Sequence, residues 1–569
     1  VNRSSLRSAL LLAGAFLTAA LFAGALPWFT GSDPARTVLR ARQRERDADP
    51  AALAAIRESL DLPENPVIGT WHWLVKACQG DFGVSWVSGG PVGEKVGSAL
   101  LVSLNLSGMA AATTLALGFL LVAPMIAGVG RGRPGTSRVL RAVSATLAAL
   151  PEFVLAVLLA YVFAVRLQWF PATGWRSSQH AVLPVAAIAV ASVGVLLRVL
   201  MTAVAAVAGE DWVRTWRANG ARPMRISAEV ARRALAVVLP QVLLLLAGIV
   251  GASVVVEDTF AIPGLGRTAL NAALAQDVPV VQAAMAVLVV LGAAVGAVGN
   301  LLHHWLMAPA LGAGQGATMV RHISTVRRGW GWWLSVALLA LLVVGGWLRG
   351  NAVDPLSRHQ GPSWAHPLGT DHVGRDVWSR VGQGAWLTIG SAVALTAICL
   401  AIGLLVGLAS RRGSAGIADI LNAVPSVFLG VVLAAVLGPG MSSAWLAICL
   451  VGWIPLAVHA RTLAAEARAA GFHQAAITSG ASRWWITRRH ILPSVFRPVF
   501  GHALVRLPHL ALALTGLGFL GLGAGHDSPE WGKLLVDSVS HMEQAPWAVF
   551  FPAAGLVLLG LVTNLARAE

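Results

Sequence analysis

Residues 151–160 read Pro-Glu-Phe-Val-Leu-Ala-Val-Leu-Leu-Ala, and residues 425–434 read Pro-Ser-Val-Phe-Leu-Gly-Val-Val-Leu-Ala. Each is a proline followed by an apolar run, the second opening 274 positions after the first. Other landmarks keep the same order. Arg198 and Gly220 stand 22 apart, Arg461 and Gly480 stand 19 apart, and Pro279 and Pro546 open the last apolar run of each half at an offset of 267. Order and near-constant offset together indicate one architectural unit written twice. An even number of membrane crossings per unit leaves the two copies parallel, related by an axis along the membrane normal.

Composition agrees with a membrane location. The 569 residues are 56% hydrophobic and only 12% charged, whereas a soluble domain carries roughly 25% charged residues. That argues against a soluble enzyme. The net charge of +16 would suggest nucleic acid in a soluble chain, but here the basic residues form short clusters between apolar runs, so no nucleic-acid partner is expected. Twenty-two Trp against one Tyr fits indole anchoring at the interface, and a GC-rich coding sequence accounts for it equally well.

A spanning helix needs about 20 mostly apolar residues. Twelve runs qualify: 8–29, 99–128, 142–165, 181–199, 234–256 and 279–307, then 330–348, 386–410, 417–438, 442–459, 495–523 and 546–565. With the N-terminus inside, the cytoplasmic segments hold 23 Lys+Arg and the short outer loops hold 7, which places both termini in the cytoplasm. Arg3 and Arg7 ahead of an apolar stretch reaching Ala23-Gly24-Ala25 also fit a cleavable signal peptide. Cleavage would leave eleven spans and break the symmetry. The expected organisation is a first half at 1–307, with an outer loop at about 30–98 and a cytoplasmic loop at about 209–233. A linker follows at 308–329, where Gly312, Gly314 and Gly316 precede Arg321, Arg327 and Arg328. The second half, 330–569, carries an outer segment at about 350–385 and a cytoplasmic loop at about 460–494.

Within that last loop, residues 460–493 read ARTLAAEARAAGFHQAAITSGASRWWITRRHILP, too polar to span. Gln474, Ala475 and Ala476 precede Gly480, and His490-Ile491-Leu492-Pro493 follows. This pattern resembles the EAA loop of ABC importer permeases. A short helix of small residues ending at a glycine able to take positive φ offers a compact knob to a partner's groove. The first half holds a degenerate copy, Arg214-Thr215-Trp216-Arg217-Ala218-Asn219-Gly220. An amphipathic helix lying on the lipid surface is the plainer reading of either copy alone.

The resemblance narrows to the dipeptide, oligopeptide and nickel group of those permeases. Gly31-Ser32-Asp33-Pro34-Ala35 is similar to the group's GDPA segment with one serine inserted. Gly80-Asp81-Phe82-Gly83, Phe163-Ala164-Val165-Arg166 and Ile262-Pro263-Gly264-Leu265-Gly266-Arg267 stand in matching places, the last preceded by Glu257 and Phe260. In the second half His366-Pro367-Leu368-Gly369-Thr370-Asp371 with Gly374-Arg375-Asp376-Val377 resembles the second subunit's signature. Phe519-Leu520-Gly521-Leu522-Gly523 and Pro529-Glu530-Trp531-Gly532 complete it. Because most members keep the halves on separate chains, this one resembles their fusion. The resemblance implies an all-α integral membrane protein of about twelve helices in two parallel six-helix repeats, the type I ABC importer permease fold, in a bacterial inner membrane. Gln474 replaces the acid of EAA, Arg214 and Trp216 depart from the motif, and Leu514 stands where relatives often have Glu. These departures suggest that the two loops need not face equivalent partner surfaces.

No GxxxxGK[ST] sequence occurs, so ATP is not bound by that route. By resemblance, no cofactor belongs to this chain, ATP and Mg sit on one or two ABC ATPase subunits docked at the knobs, and an extracytoplasmic solute-binding protein docks on 30–98 and 350–385. Solute then crosses by alternating access. The coupling residues are expected to be Arg214, Thr215, Trp216 and Gly220, with Gln474, Ala475, Ala476 and Gly480. Arg214, Arg217, Arg483 and Arg488 serve topology first. Ionisable residues within spans are candidates for the solute path because an unpaired charge in hydrocarbon costs several kcal/mol. Glu152 behind Pro151 and Arg506 between His502 and His509 are the candidates. Asp419 reads as interfacial, and a structural pairing of Arg506 is the alternative. Cys78, Cys399 and Cys449 lack metal or redox spacing, and the fifteen His form no ligand motif, so no metal site is expected. The competing class is an ion-coupled secondary transporter with parallel repeats, which leaves the paired loops without a purpose. A membrane enzyme would need a nucleophile, metal or paired-acid constellation, and none stands out. The group's solutes include peptides, nickel, metallophores and sugars, with selectivity largely in the receptor.

Overall fold

The computed structural model describes residues 65–133, 138–292, 329–409 and 426–565 apart from 526, with isolated positions before 65 and at 294. Among these residues the regular elements are helical, and extended pairing is confined to single bridges such as Val353–Arg375 and Thr370–Asp376. Helix α1 spans Pro66–Cys78, where Asn65 caps the Val67 N–H and proline occupies the first turn, whose N–H has no helical partner anyway. Helix α2, Val92–Gly130, runs for 39 residues, about 58 Å at the helical rise. It therefore exceeds a hydrocarbon layer of about 30 Å.

Over the expected run at 142–165 the structure has two helices, α3 (Arg138–Leu147) and α4 (Glu152–Leu159), and the stretches Val139–Leu147 and Glu152–Arg166 are bent by 87°. Pro151 causes the break: it lacks the N–H that would continue the ladder and disfavours helical geometry at Leu150. The next helix, α5 (Ser178–Ala208), seals the bend. Its Gly194 lies where a Cβ would collide with the backbone of Leu147 and Ala148, and Ser144 Oγ donates to Gly194 O at 3.1 Å. A short helix α6 (Asp211–Ala218) then leads into α7 (Pro223–Thr259), followed by α8 (Leu265–Leu274) and α9 (Val278–Gly292).

The second half begins with α10 (Trp330–Trp347), then α11 (Val377–Ala409), α12 (Ser426–Leu437), α13 (Met441–Gly452) and α14 (Ile454–Ala469). The short helices α15 (Gly471–Thr478) and α16 (Arg483–Ile486) precede α17 (Leu492–Phe519), α18 (Trp531–Val539) and α19 (Trp547–Leu565). Among the described residues seven helical stretches are long and apolar enough to cross a membrane, and the bent α3–α4 pair makes an eighth. Shorter apolar helices at Val278–Gly292, Val427–Leu437 and Trp547–Thr563 fall on three further expected runs. Most of the run at 8–29, nearly all of the linker at 308–329, and Asp419 lie outside the described residues.

Packing divides the chain into two compact units that interleave the sequence halves. Of the described residues, one takes in those up to 100 with those of 265–291 and 345–549, and the other takes in those of 101–264, 292–344 and 550–565. In the second of these, α5 packs on α3, α4 and α7 around Leu196, Leu197, Leu200, Ile226 and Val230. In the first, α11 packs on α14 and α17, and α8 packs on α12. Lipid is as apolar as leucine, so close approach through small residues, rather than water exclusion, holds such helices together. Gly403 and Gly407 of α11 illustrate this: added Cβ atoms would lie 2.8 Å from Leu456 Cβ and 2.6 Å from Ala460 Cβ of α14.

Candidate functional site

The two knobs predicted from sequence are the same backbone device. Helices α6 and α15 each have eight residues. Each ends at a residue near φ −80°, followed by a glycine in the left-handed region: Gly220 at φ +72° and Gly480 at +77°. The 6→1 bond of a Schellman turn closes both, from Ala221 N to Trp216 O at 2.9 Å and from Ala481 N to Ala476 O at 3.1 Å. An arginine near each knob also caps the long helix of its own half. Arg217 Nη2 donates to Val129 O in α2, and Arg468 Nη2 donates to Leu408 O in α11, both at 2.8 Å. Free carbonyls at a helix C-terminus carry negative charge and suit a guanidinium.

The side chains differ. In α6, Val213 is fully buried against Ile226 and Val230, and Trp212 packs edge-on to Trp216 with centroids 5.2 Å apart. Glu210 Oε2 accepts from Trp212 Nε1 at 2.6 Å and from Arg233 Nη1 at 3.0 Å. Arg233 also lies over the Trp212 ring at 4.7 Å and bonds Glu229, which in turn takes two bonds from Arg232. The hydrogen bond from Arg232, with Arg233 adding to it, outweighs burial and holds the Glu229 carboxyl below its usual range. Arg225 covers Trp216 at 5.3 Å. The predicted residues Arg214, Thr215 and Gly220 remain exposed, whereas Trp216 is half-buried and belongs to the support.

No residue of α15 is buried. Gln474, Ala475 and Gly480 are exposed and Ala476 is half-buried. Support comes from rings behind the helix, where His490 contacts Phe472 at 5.8 Å and Trp485 at 5.1 Å. Ala475, Ala476, Ser479, Ala481, Ser482, Trp485 and His490 line an open groove of about 580 Å³ beside the knob. Sequence reading missed the support of α6: Glu210 and Arg233 are 23 residues apart, and only the two tryptophans at i, i+4 hinted at a packed face.

The His366–Val377 motif forms a knot tied to its own backbone. Asp371 Oδ1 accepts from the N–H groups of Val373 and Arg375 at 2.9 and 2.8 Å, and Oδ2 accepts from Arg375 Nε at 2.9 Å. Burial pushes the Asp371 carboxyl up, but the Arg375 N–H and guanidinium outweigh it and hold the group below its ordinary value. Asp376 pairs with Arg349 at 3.0 Å and with His366 Nδ1 at 2.9 Å. Gly374, at φ +92°, touches the Asp354 carbonyl where no Cβ fits. The two solute-path candidates fall in different units. Glu152 lies in the first turn of α4 and Arg506 lies mid-way along α17, its Nε buried without a hydrogen-bond partner among the described residues.

Comparison with known proteins bears on these repeats. A family model described as "Binding-protein-dependent transport system inner membrane component" matches residues 120–308 and again 394–568, together more than half of the chain. Among curated relatives, the probable D,D-dipeptide transport system permease protein DdpC of Escherichia coli is 37% identical over 241 residues, 40% of this chain and 80% of the relative. The dipeptide transport system permease protein DppC of Alkalihalophilus pseudofirmus is 35% identical over 219 residues, 37% of this chain and 72% of the relative. The metal-staphylopine import system permease protein CntB of Staphylococcus aureus is 32% identical over 270 residues, 47% of this chain and 84% of the relative. Each alignment covers most of a relative with less than half of this chain, as two permease subunits fused in one polypeptide require.

Proposed function

We propose that this chain, which belongs to the family of binding-protein-dependent transport system inner membrane components, supplies both permease halves of an ATP-driven importer for peptides or a related small solute. The supporting observation is the eight-residue helix closed by a Schellman turn that recurs once in each family-matched repeat. Two such knobs suit one or two separate ABC ATPase subunits, which bind ATP and Mg, while this chain is the non-enzymatic membrane component. Arg214, Thr215, Trp216 and Gly220 form one coupling surface, and Gln474, Ala475, Ala476 and Gly480 form the other. Both termini are cytoplasmic, and an extracytoplasmic solute-binding protein docks on the outer segments that include the Asp371–Asp376 knot. Glu152 and Arg506 line the solute path, and solute moves by alternating access between the halves. The relatives' names favour peptides and leave a nickel- or metallophore-type solute as the related class.

The test is purification in mild detergent followed by reconstitution with the co-purifying subunits. The expected result is a bound ABC ATPase and solute uptake that requires ATP and the receptor. Uptake driven by an ion gradient, with no ATPase present, would replace this reading by the secondary transporter.

A further inference from the structure

Each unit buries a glutamate at the same kind of joint, where the long helix of the fifth apolar run of one half meets the turn that follows it. In one unit Glu257, in the final turn of α7 and wholly buried, accepts from Ser103 Oγ of α2 at 2.6 Å and Ser253 Oγ at 2.9 Å. Gly264 from the following turn closes over its carboxylate, leaving no room for a Cβ. In the other unit Glu530, 1% exposed, sits in the turn itself and caps α18. Its Oε1 accepts from the Gly532 N–H at 2.9 Å and from Thr388 Oγ1 of α11 at 3.3 Å, and its Oε2 accepts from the Lys533 N–H at 3.0 Å. Here the glycine against the carboxylate is Gly518 of α17. Ser103 and Thr388 are each the twelfth residue of their helix. The hydroxyl is thus kept in register, while carboxylate and glycine exchange sides of the joint.

We propose that Glu530 is a proton-linked positioning residue that seats the turn 528–533 against α11 and α17, so that unseating the turn releases a proton. The geometry carries this. The carboxyl is out of water and none of its described hydrogen-bond partners is a cation, so burial, which favours the protonated form, opposes the three donors that favour the carboxylate. None of the charged groups nearby bonds the carboxyl through its side chain, and Arg380 Nε is buried without a hydrogen-bond partner among the described residues. Lys533 Nζ pairs with Asp537 at 2.7 Å, Arg380 of α11 donates through Nη2 to Ser528 O at 3.3 Å, and Asp527 is exposed and 3.8 Å from Arg375. The packed stretch of α17 from Leu510 to Phe519 contains no ionisable residue. Consistently, burial pushes the Glu530 carboxyl up to about 7 against the pull of its hydrogen bonds. The seated state therefore binds more protons than the open state between the ordinary carboxyl value and about 7, and opening becomes easier as pH rises through that window, by up to about tenfold per unit. On the orientation proposed above the turn faces the receptor side, so its meaning for transport rests on that reading, whereas the linkage itself does not.

Hydrogen exchange on the intact chain with its bound partners, at several pH values from 5.5 to 8.5 and corrected for chemical exchange, reads the seat directly through the amides of 531–536. Protection is expected to fall about tenfold or more between pH 5.5 and 7.5 and then level off. Glu530→Gln is expected to remove the slope, and Asp537→Asn to keep it. A parent whose protection is flat or rises with pH overturns the proposal, as does a slope that survives Glu530→Gln or vanishes with Asp537→Asn. Failure of the importer reading would leave these outcomes unchanged, and would appear instead as absence of ATP-driven uptake.

Discussion

Helices α6 and α15 share length, cap geometry and closing hydrogen bond, yet one is anchored and the other is bare. Val213, the Trp212–Trp216 pair and the Glu210–Arg233–Glu229 network fix α6 to its own unit. Helix α15 has no buried residue and depends on aromatic contacts made by Phe472 and by the segment that follows it. A repeat can therefore conserve the backbone form of a docking knob while reassigning the means that holds it. In α6 the support is intramolecular, and on the function proposed above α15 would take the missing contacts from the ATPase. The bare knob is then the more sensitive of the two.

The largest effect is expected from Gly480→Val. A β-branched residue strains the left-handed turn by about 1–2 kcal/mol or more, and because nothing lies within 4 Å of the added Cβ, the cost falls on backbone geometry rather than on a clash. ATP-driven uptake should fall about tenfold or more while the amount of inserted protein stays constant, as measured by transport against membrane-fraction yield. Gly220→Val imposes the same strain on an anchored helix and should lower uptake only about two- to threefold. Equal losses in the two variants would show that the anchor of α6 does not protect its knob.

Removing the anchor should erase the difference. Arg233→Met takes away the ion pairs and the cation–π contact, and in its presence Gly220→Val should approach the severity of Gly480→Val. The coupling between the two substitutions is expected at roughly 1 kcal/mol by double-mutant cycle, with additivity as the contrary result. The smallest effect concerns pH. The Glu229 carboxyl is held below its ordinary 4.5 mainly by Arg232, so its contribution is present above that value and disappears as pH falls through the lowered one. Amide exchange in α6 should quicken at acid pH, and Glu229→Gln should remove that dependence. Exchange in α15, measured in the same samples, should not share this transition.

Much of the architecture was legible because bilayer physics writes itself into sequence. Long apolar runs, basic clusters between them and glycines that end short helices are local signals. Pro151 announced a break, but the 87° bend also depends on Gly194 of α5, some 43 residues away, giving up its side chain to let backbones touch. The second knob could be read from the small residues before Gly480, and the first only as a degenerate copy ending at Gly220. Their unequal support could not, since Glu210 meets Arg233 only after the chain turns back on itself. The buried carboxylates were visible as letters within motifs, yet Ser103 and Glu257 are 154 positions apart and Thr388 and Glu530 are 142 apart. Partners at such distances follow from packing rather than from periodicity.

Both knobs are proposed to dock ATPase subunits on one face of the membrane. The most direct test is cross-linking from single cysteines, Thr215→Cys and Ala475→Cys, in a background lacking Cys78, Cys399 and Cys449. Both positions are expected to cross-link to a co-purifying ABC ATPase and to resist an impermeant thiol reagent in intact cells. Labelling of either position from outside, or an assembled importer in which neither position reaches an ATPase, would contradict the proposed docking.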